Sequence, residues 1–540
     1  MATGAERIVQ LLSAAGVDVC FGLPGVHNLA LWEALRESPI RLVGVRHEQT
    51  AAYAADGYAR ATGRLGVALT TTGPGAANTL GAVGEAWASR SPVLVVATDI
   101  PSGLRRPGAY RGVLHEATDQ AAMFAPVVKS THVVRDADEV EACAAAAISS
   151  ALSAPTRPAY LEVPTDLLRA EVPASGLGRV SDAPPVARLG DSSLDAAVDA
   201  LSSASRPVVW IGGGAREAGA SVARLAERLG APVLTTYGGA GVLPAGHPCL
   251  VGMPPHVAPA GRLWDEADAV VAIGSDLDGV QTQNFSQPQP PVLVAINLDP
   301  AEPATNYRVD VLLEGDAEVV AGALASRLPD RGWDGLVERL HGVRAEACAE
   351  LDSRALRFLD ALRFAVPDDG VVVADMCIPG YWIAGFHTPA APRRVQIPLG
   401  WGTLGYAFPA AIGAAFAGGG PVVSVSGDGG FLYACGELAT VAQERVGMTA
   451  VIVDDGGYGM LRYDQDVAGE ERYGVDLVTP DFVALAESFG VRVERVDGLD
   501  DEFGEALARH VADEEPSVLV AATPEPLVPP PNTSPNWYRR

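Results

Sequence analysis

The chain has 540 residues, 48% of them hydrophobic, with 66 Asp and Glu against 39 Lys and Arg and a formal net charge of −27. That length exceeds what one core usually holds and predicts two to four domains. The charge, with no basic run to offset it, argues against electrostatic binding to nucleic acid.

The opening MATGAERIVQLLSAAGV has no long apolar stretch, so neither a signal peptide nor a membrane span is expected and a cytoplasmic location follows by default. Residues 1–170 alternate apolar strands with helical runs: VDVCFGL, LALWEALRE, RLVGV, a helix after Glu48, GVALTTT, a glycine turn and SPVLVVATD. Such alternation specifies a parallel sheet with helices on both faces. The Pro/Gly/Ser-rich stretch from about 170 to 190 reads as a linker. A second unit over 188–330 repeats the pattern with RPVVWIGGG, APVLTTYG, AVVAIGSDLDG and PVLVAINLDP. Its Gly212-Gly213-Gly214 turn is dinucleotide-like, but such a turn most often only joins a strand to a helix. A helical connector over about 332–362 leads into a third unit, 350–525, built from GVVVADM, PVVSVSGDGG and MTAVIVDDGG. The fold class expected is α/β, with three doubly wound parallel-sheet domains. Residues 526–540, rich in proline, read either as an arm packed over a surface, with Trp537 as a candidate lid residue, or as a frayed terminus. Six cysteines, at 20, 143, 249, 348, 377 and 435, lack paired metal spacing and read as free thiols, Cys377 and Cys435 being candidate cofactor neighbours.

The densest chemistry lies in VVSVSGDGGF, residues 422–431, followed by a strand ending in Asp454-Asp455-Gly456-Gly457. A hard cation such as Mg²⁺ takes carboxylate and carbonyl oxygens and leaves room for phosphate. Asp428 and Asp455 supply two such oxygens, and Gly427, Gly429 and Gly430 let backbone approach a diphosphate at the start of a helix expected from Leu432. The 27-residue interval from Asp428 to Asp455 fits one helix and one returning strand, bringing both to one carboxyl edge.

These residues resemble the thiamine diphosphate enzymes of the acetolactate synthase and 2-oxoacid decarboxylase type, whose cofactor motif is GDG followed by NN at this spacing. A second motif agrees: Arg46-His47-Glu48-Gln49 runs into a helix, and Thr72-Gly73-Pro74-Gly75-Ala76-Ala77-Asn78 follows. The resemblance covers almost the whole chain. It implies pyrimidine-binding, central and diphosphate-binding domains in that order. It implies active sites between subunits of a homodimer or homotetramer, with thiamine diphosphate and Mg²⁺ as cofactors. Glu48 matches the glutamate that hydrogen-bonds the aminopyrimidine ring. Gly73, Pro74, Asn78, Gly402, Leu404 and Met460 match cofactor contacts, Leu404 being the apolar wedge beneath the cofactor. Asp428, Asp455 and the Gly457 carbonyl match metal ligands.

Several positions depart from the family pattern. Asp454-Asp455 replaces NN, placing a second carboxylate at the metal, although Asp-Asp-Gly-Gly is also an ordinary strand-ending turn. Cys377-Ile378-Pro379 stands where polar diphosphate contacts are usual. GSDLDGVQTQNF lacks the Arg-containing signature of a non-redox FAD site, which makes FAD doubtful. His27 and His115 fall where substrate chemistry would occur, with Gln49 as a further substrate contact; structural or surface roles are the alternative for each histidine. Arg462 is read either as a substrate carboxylate ligand or as half of a solvated salt bridge.

The activity implied is decarboxylation of a 2-oxoacid such as pyruvate with acyl transfer to a carbonyl acceptor. A simple decarboxylase or a 2-hydroxyketone lyase of the benzaldehyde lyase kind is the alternative. A glyoxylate carboligase is disfavoured, because it lacks the glutamate that Glu48 supplies. A silent subunit and a dinucleotide-linked oxidoreductase are more distant rivals.

Overall fold

The computed structural model describes residues 2–106, 108–172, 190–332, 334–398 and 400–533. Apolar runs set between glycine, proline and polar turns become strands: β1 (Ala2–Thr3), β2 (Val19–Gly22), β3 (Arg41–Gly44), β4 (Gly66–Thr70), β5 (Val93–Asp99), β6 (Ser130–Val133), β7 (Ala159–Pro164) and β8 (Glu171–Val172). The central unit contributes β9 (Pro207–Ile211), β10 (Val233–Thr235), β11 (Ala269–Ile273), β12 (Val292–Asn297) and β13 (Val311–Glu314). The last unit contributes β14 (Val371–Ala374), β15 (Val395–Gln396), β16 (Val422–Gly427), β17 (Thr449–Asp454), β18 (Arg492–Asp497) and β19 (Ser517–Ala522).

Three parallel sheets result, ordered β3-β2-β4-β5-β7-β6, β10-β9-β11-β12-β13 and β15-β14-β16-β17-β19-β18. The first and third repeat one topology. Each is flanked by helices, as three α/β domains require, and the central strands are buried on both faces because crossover helices cover them. In each six-stranded sheet the strand order reverses beside the first strand, opening a crevice at the carboxyl edge between β2 and β4 and again between β14 and β16. β1 and β8 form a separate antiparallel pair.

The first and third domains join through two helices rich in small residues, Glu48–Thr62 and Ala407–Ala415. A Cβ on Gly57 would stand 2.0 Å from the Ala410 carbonyl oxygen, and one on Gly413 1.8 Å from that of Ala54, so the backbones meet where no side chain fits. Arg60 locks the same seam: its buried guanidinium pairs with Asp56 at 2.7 Å and Glu85 at 3.1 Å and donates to the Ile397 carbonyl at 2.6 Å. One apolar core runs across this seam and another joins the third domain to the central one.

Residues 526–533 lie along the third domain, with Trp382 Nε1 donating to the Val528 carbonyl at 2.9 Å. Trp537 and most of the expected linker, 173–189, lie outside the described residues. Among the described residues no helix is long and apolar enough to cross a membrane.

Candidate active site

The first half of the site gathers at the carboxyl edge of the first sheet. His47 caps the Glu48–Thr62 helix, its Nδ1 accepting from Gln49 N at 3.2 Å. Glu48 opens that helix with 8% exposure, and Asn78 Nδ2 donates to its Oε2 at 3.0 Å. A side chain on Gly75 would come within 3.2 Å of Glu48 Oε1, so the glycine keeps that face of the carboxylate open. Gly73 adopts φ +65°, and a Cβ there would collide with the His115 carbonyl at 2.4 Å. Glu48, Gly73, Pro74 and Asn78 therefore share one corner.

His27 and His115 meet beside it, edge to face, with ring centres 5.4 Å apart. His27 Nδ1 hydrogen-bonds Thr72 Oγ1 at 2.8 Å, backed by Thr98 at 3.0 Å, while the buried Nδ1 of His115 has no partner. Burial, and then the neighbouring His115, lower the His27 pKa below the usual imidazole value, so it is neutral near pH 7. Gln49 is half-buried beside Tyr53.

The second half lies where β14, β16 and β17 end. Asp428 is fully buried; its Oδ1 accepts from Gly429 N at 2.7 Å, whereas Oδ2 is buried without a partner. Asp455 Oδ1 is likewise buried without a hydrogen bond. Two buried carboxylate oxygens without hydrogen bonds on neighbouring strand ends are oxygens of the kind a hard cation takes, although Asp455 Oδ1 also lies 3.7 Å from Arg462. Burial, and then Asp455, push Asp428 up to about 7; burial pushes Asp455 up to about 6 against the opposing charge of Arg462.

Gly456 and Gly457 turn with φ +77° and +157°, and a Cβ on Gly457 would strike Arg462 at 2.2 Å and the Val475 carbonyl at 2.3 Å. The Gly457 carbonyl accepts from Gly459 N at 3.1 Å and retains a second lone pair. Gly402 and Gly405, at φ +61° and +77°, hold the half-buried Leu404 between them. Met460 packs partly against the core. Cys377 lies against Gly427, a Cβ on which would be 3.3 Å away, and burial with Asp375 nearby keeps its thiol protonated.

Two expectations need correction. The helix after the GDG loop begins at Asp428, not Leu432, capped by Gly427 and broken after Phe431 before resuming at Leu438. The two glycines read as loop but are packed under Tyr458 and Asp375, and that crowding selects a helical turn. Arg462 is not part of a solvated salt bridge: it is buried, donates to the Asp455 carbonyl at 2.7 Å, and pairs with Asp476 at 2.7 Å.

Three residues were missed. Asp375 follows β14, accepts from Gly405 N at 3.0 Å and sits under Gly430; burial raises it to about 6. A carboxylate closing the apolar run GVVVAD was the available signal. Glu437 accepts from the backbone of Arg46 and His47 at 3.0 Å each, fixing the Glu48 helix to the third domain. Gln120 Oε1 accepts from Gly73 N at 2.5 Å, holding the glycine turn. No local pattern marks either, because their partners are distant in sequence.

The central domain contributes a cavity of about 490 Å³ at its carboxyl edge, lined by Gly212–Gly214, Arg216, Arg90, Asp276, Asp278 and Glu302 among others. Arg90 is already paired with Asp276 and Glu302, each at 2.8 Å.

With this geometry the chain matches three family models: the N-terminal TPP binding domain of thiamine pyrophosphate enzymes over residues 2–123, their central domain over 194–324, and their C-terminal TPP binding domain over 377–521. The chain belongs to the thiamine pyrophosphate enzymes, of the acetolactate synthase and decarboxylase type. It is 36% identical to a probable 2-ketoarginine decarboxylase of Pseudomonas aeruginosa, over 92% of this chain and 90% of that protein. It is 31% identical to a probable acetolactate synthase large subunit of Methanocaldococcus jannaschii (98% and 93% covered) and 32% identical to an acetolactate synthase of Mycobacterium bovis (94% and 86%).

The raised carboxyls set a pH dependence. A cation held by Asp428 and Asp455 would have to displace the protons these carboxyls carry, so its affinity would rise with pH through the window from about 6 to about 7 and level off above it. In the metal-free protein the sign for stability is the reverse. The neutral carboxyls contribute fully below their ordinary value near 3.8, and that contribution is lost as pH climbs through the folded values. Calorimetric titration with Mg²⁺ and thiamine diphosphate across this range checks the first statement; an affinity independent of pH contradicts it. Asp455→Asn, which restores the family's amide, retains activity and weakens the pH dependence.

Proposed function

We propose that this protein uses thiamine diphosphate and Mg²⁺ to decarboxylate a 2-oxoacid and passes the acyl unit to a carbonyl acceptor. The observation that carries the reading is the pair of buried oxygens without a hydrogen bond, Asp428 Oδ2 and Asp455 Oδ1, the latter only 3.7 Å from the Arg462 guanidinium. With the Gly457 carbonyl they would hold the metal, while Gly73, Pro74, Asn78, Gly402, Leu404 and Met460 would contact the cofactor. When bound, thiamine diphosphate supplies an acidic ring carbon and an electron sink for the departing CO₂.

The protein's own work is positional and protonic. Glu48, held by Asn78, would take or give a proton at its free carboxylate oxygen. Leu404, held between Gly402 and Gly405, would offer the cofactor an apolar contact. His27 and His115 give or take protons at the substrate oxygen, His27 through a ring held by Thr72. Of the two guanidiniums lining the acid-rich central cavity, Arg90 is paired with Asp276 and Glu302 and Arg216 donates to the Gly238 carbonyl at 3.0 Å, and this reading needs no flavin.

A second reading, release of the product as free aldehyde, is favoured by the His27–His115 pair and by the name of the Pseudomonas relative, which also brings a guanidino 2-oxoacid into the substrate panel. Mass spectrometry of the organic product from a panel of 2-oxoacids decides: a hydroxyketone supports transfer, an aldehyde supports the second reading, and no product from any acid refutes both.

We also place the working site between two copies of the chain. Exposed apolar side chains lie near both halves in sequence: Val26, Leu29 and Leu114 for the first, Trp401, Leu461 and Tyr473 for the second. Mixing two inactive variants, Glu48→Gln and Asp428→Ala, under conditions of subunit exchange then restores part of the activity, since some sites draw both halves from intact domains. Absence of any recovery after verified exchange contradicts the arrangement.

A further inference from the structure

A buried polar cluster backs the Gly73 turn of the first half-site. Strands β5 and β7 pair side by side and bring two buried acids together, Asp99 and Glu162, which share the Arg105 guanidinium. Oε2 of Glu162 accepts from the Tyr160 hydroxyl at 2.9 Å and from Gln120 Nε2 at 3.0 Å. Gln120 Nε2 also donates to the Thr98 carbonyl at 3.0 Å, and at the other end of the amide Oε1 accepts from Gly73 N at 2.5 Å. A carbonyl and a carboxylate can only accept and a backbone N–H can only donate, so these partners admit one orientation of the Gln120 amide. The side chain is 2% exposed, and water does not substitute for it.

The same cluster closes the neck of one chain segment. The segment leaves β5 after Asp99, carries Arg105 and His115, and ends at Asp119, the cap of the Gln120–Phe124 helix. Asp99 and Gln120 thus stand at its two ends, joined through Arg105 and Glu162. Farther out, Tyr110 and Leu114 are exposed, and Glu116 folds the segment on itself by accepting from Arg111 N and Val113 N at 2.9 Å each. His115 has φ +68°, a left-handed conformation that a non-glycine residue keeps where its surroundings impose it. Its carbonyl packs on Gly73, where a Cβ would stand 2.4 Å from the oxygen. Gly73 is the residue that Gln120 grips. A continuous line of contacts therefore runs from Glu162 through Gln120 and Gly73 to the backbone of His115, whose ring lies 5.4 Å from that of His27.

We propose that Gln120 is a positioning residue of the reaction: oriented by Glu162, it holds the Gly73 turn against the His115 backbone and so keeps that imidazole beside His27. The inference rests on the proton role given to His115 in the proposed reaction. The first test needs no cofactor and follows amide hydrogen exchange of the full chain by mass spectrometry. Gln120→Met keeps the side-chain volume without either polar end, and is expected to speed exchange in peptides covering 71–79 and 108–119 by roughly tenfold or more, with the central and third domains unchanged. Tyr160→Phe removes a hydroxyl from the cluster but leaves the grip on Gly73, and should leave both peptides as in the parent. The second test measures kcat for 2-oxoacid decarboxylation with thiamine diphosphate and Mg²⁺. Gln120→Met should lower kcat by roughly 10- to 100-fold in the parent, the scale of a misplaced reacting group. In a His115→Ala background it should lower kcat by less than roughly threefold, because residues that act as a unit are not additive. Gln120→Glu, which turns a carboxylate oxygen on the Thr98 carbonyl and Glu162, should act in the same direction. A merely structural Gln120 would lower kcat equally in both backgrounds, or speed exchange in all three domains; either result overturns the proposal. Unchanged exchange at 71–79 and 108–119 alongside normal decarboxylation also overturns it and leaves the reaction reading intact. No decarboxylation of any 2-oxoacid by the parent overturns both.

Discussion

Glu48→Gln is expected to leave thiamine diphosphate and Mg²⁺ bound while lowering kcat by roughly 10²- to 10⁴-fold, the range typical for loss of a positioned proton-transfer group. The carboxylate sits at a helix start that is capped by His47 and anchored to the third domain by Glu437, so a neutral isostere leaves the frame in place. Asn78 Nδ2 donates to Glu48 Oε2, and the amide oxygen of glutamine can accept the same bond. What glutamine cannot do is hold and release a proton. Equilibrium binding of the cofactor, followed by intrinsic fluorescence, should therefore change little while turnover collapses. Loss of binding in parallel with turnover would assign Glu48 an anchoring role instead, and unchanged turnover would remove it from the chemistry.

Gly413→Val is expected to destabilise the protein by at least about 3 kcal/mol, or to prevent folding, because overpacking here meets backbone and not a flexible side chain. The clash is with the Ala54 carbonyl oxygen, 1.8 Å from where the Cβ would stand, and the reciprocal contact of Gly57 with Ala410 leaves neither helix free to retreat. Separating them also breaks the Arg60 bond to the Ile397 carbonyl, which crosses the seam, and opens the buried Arg60–Asp56–Glu85 cluster to solvent. Gly81→Ala is the control: it lies in the Leu80–Ala88 helix with nothing within 4 Å of the added Cβ. It should be neutral or stabilising by up to about 1 kcal/mol. Urea midpoints of the two variants against the parent check both statements; similar midpoints for Gly413→Val and the parent would contradict the packing argument.

Much of this architecture is legible in the chain because buried parallel strands write themselves as uninterrupted apolar runs. β9 from PVVWI, β16 from VVSVSG and β17 from TAVIVD are examples, each followed by glycine or acid at the sheet edge where ligands bind. Edge strands are harder. β18, RVERVD, is half exposed and charged, and β6, STHV, lies at the corresponding edge of the first sheet. β7 hides for a different reason: Glu162 interrupts its apolar run, yet is fully buried, tied to Tyr160, Gln120 and Arg105. β19 carries an equally clear apolar run and stands outside the elements named from sequence.

The site divides along the same line. Motifs that combine glycine geometry with a carboxylate, such as GDGG and DDGG, announce themselves locally. Asp375, Glu437 and Gln120 act on backbone N–H groups tens to hundreds of residues away, and only tertiary structure reveals that. Arg462 shows the converse: a cation beside a predicted metal loop suggests a substrate ligand, but its guanidinium is shared between the Asp455 carbonyl of the DDGG turn and Asp476.

The most direct test of the central claim is release of labelled CO₂ from C1-labelled 2-oxoacids by the purified protein, with thiamine diphosphate and Mg²⁺ each supplied or omitted after exhaustive dialysis against chelator. Release that requires both cofactors, and that Glu48→Gln nearly abolishes, is the predicted result. Release that persists without thiamine diphosphate, or no release from any 2-oxoacid in a fully loaded and folded preparation, would contradict it.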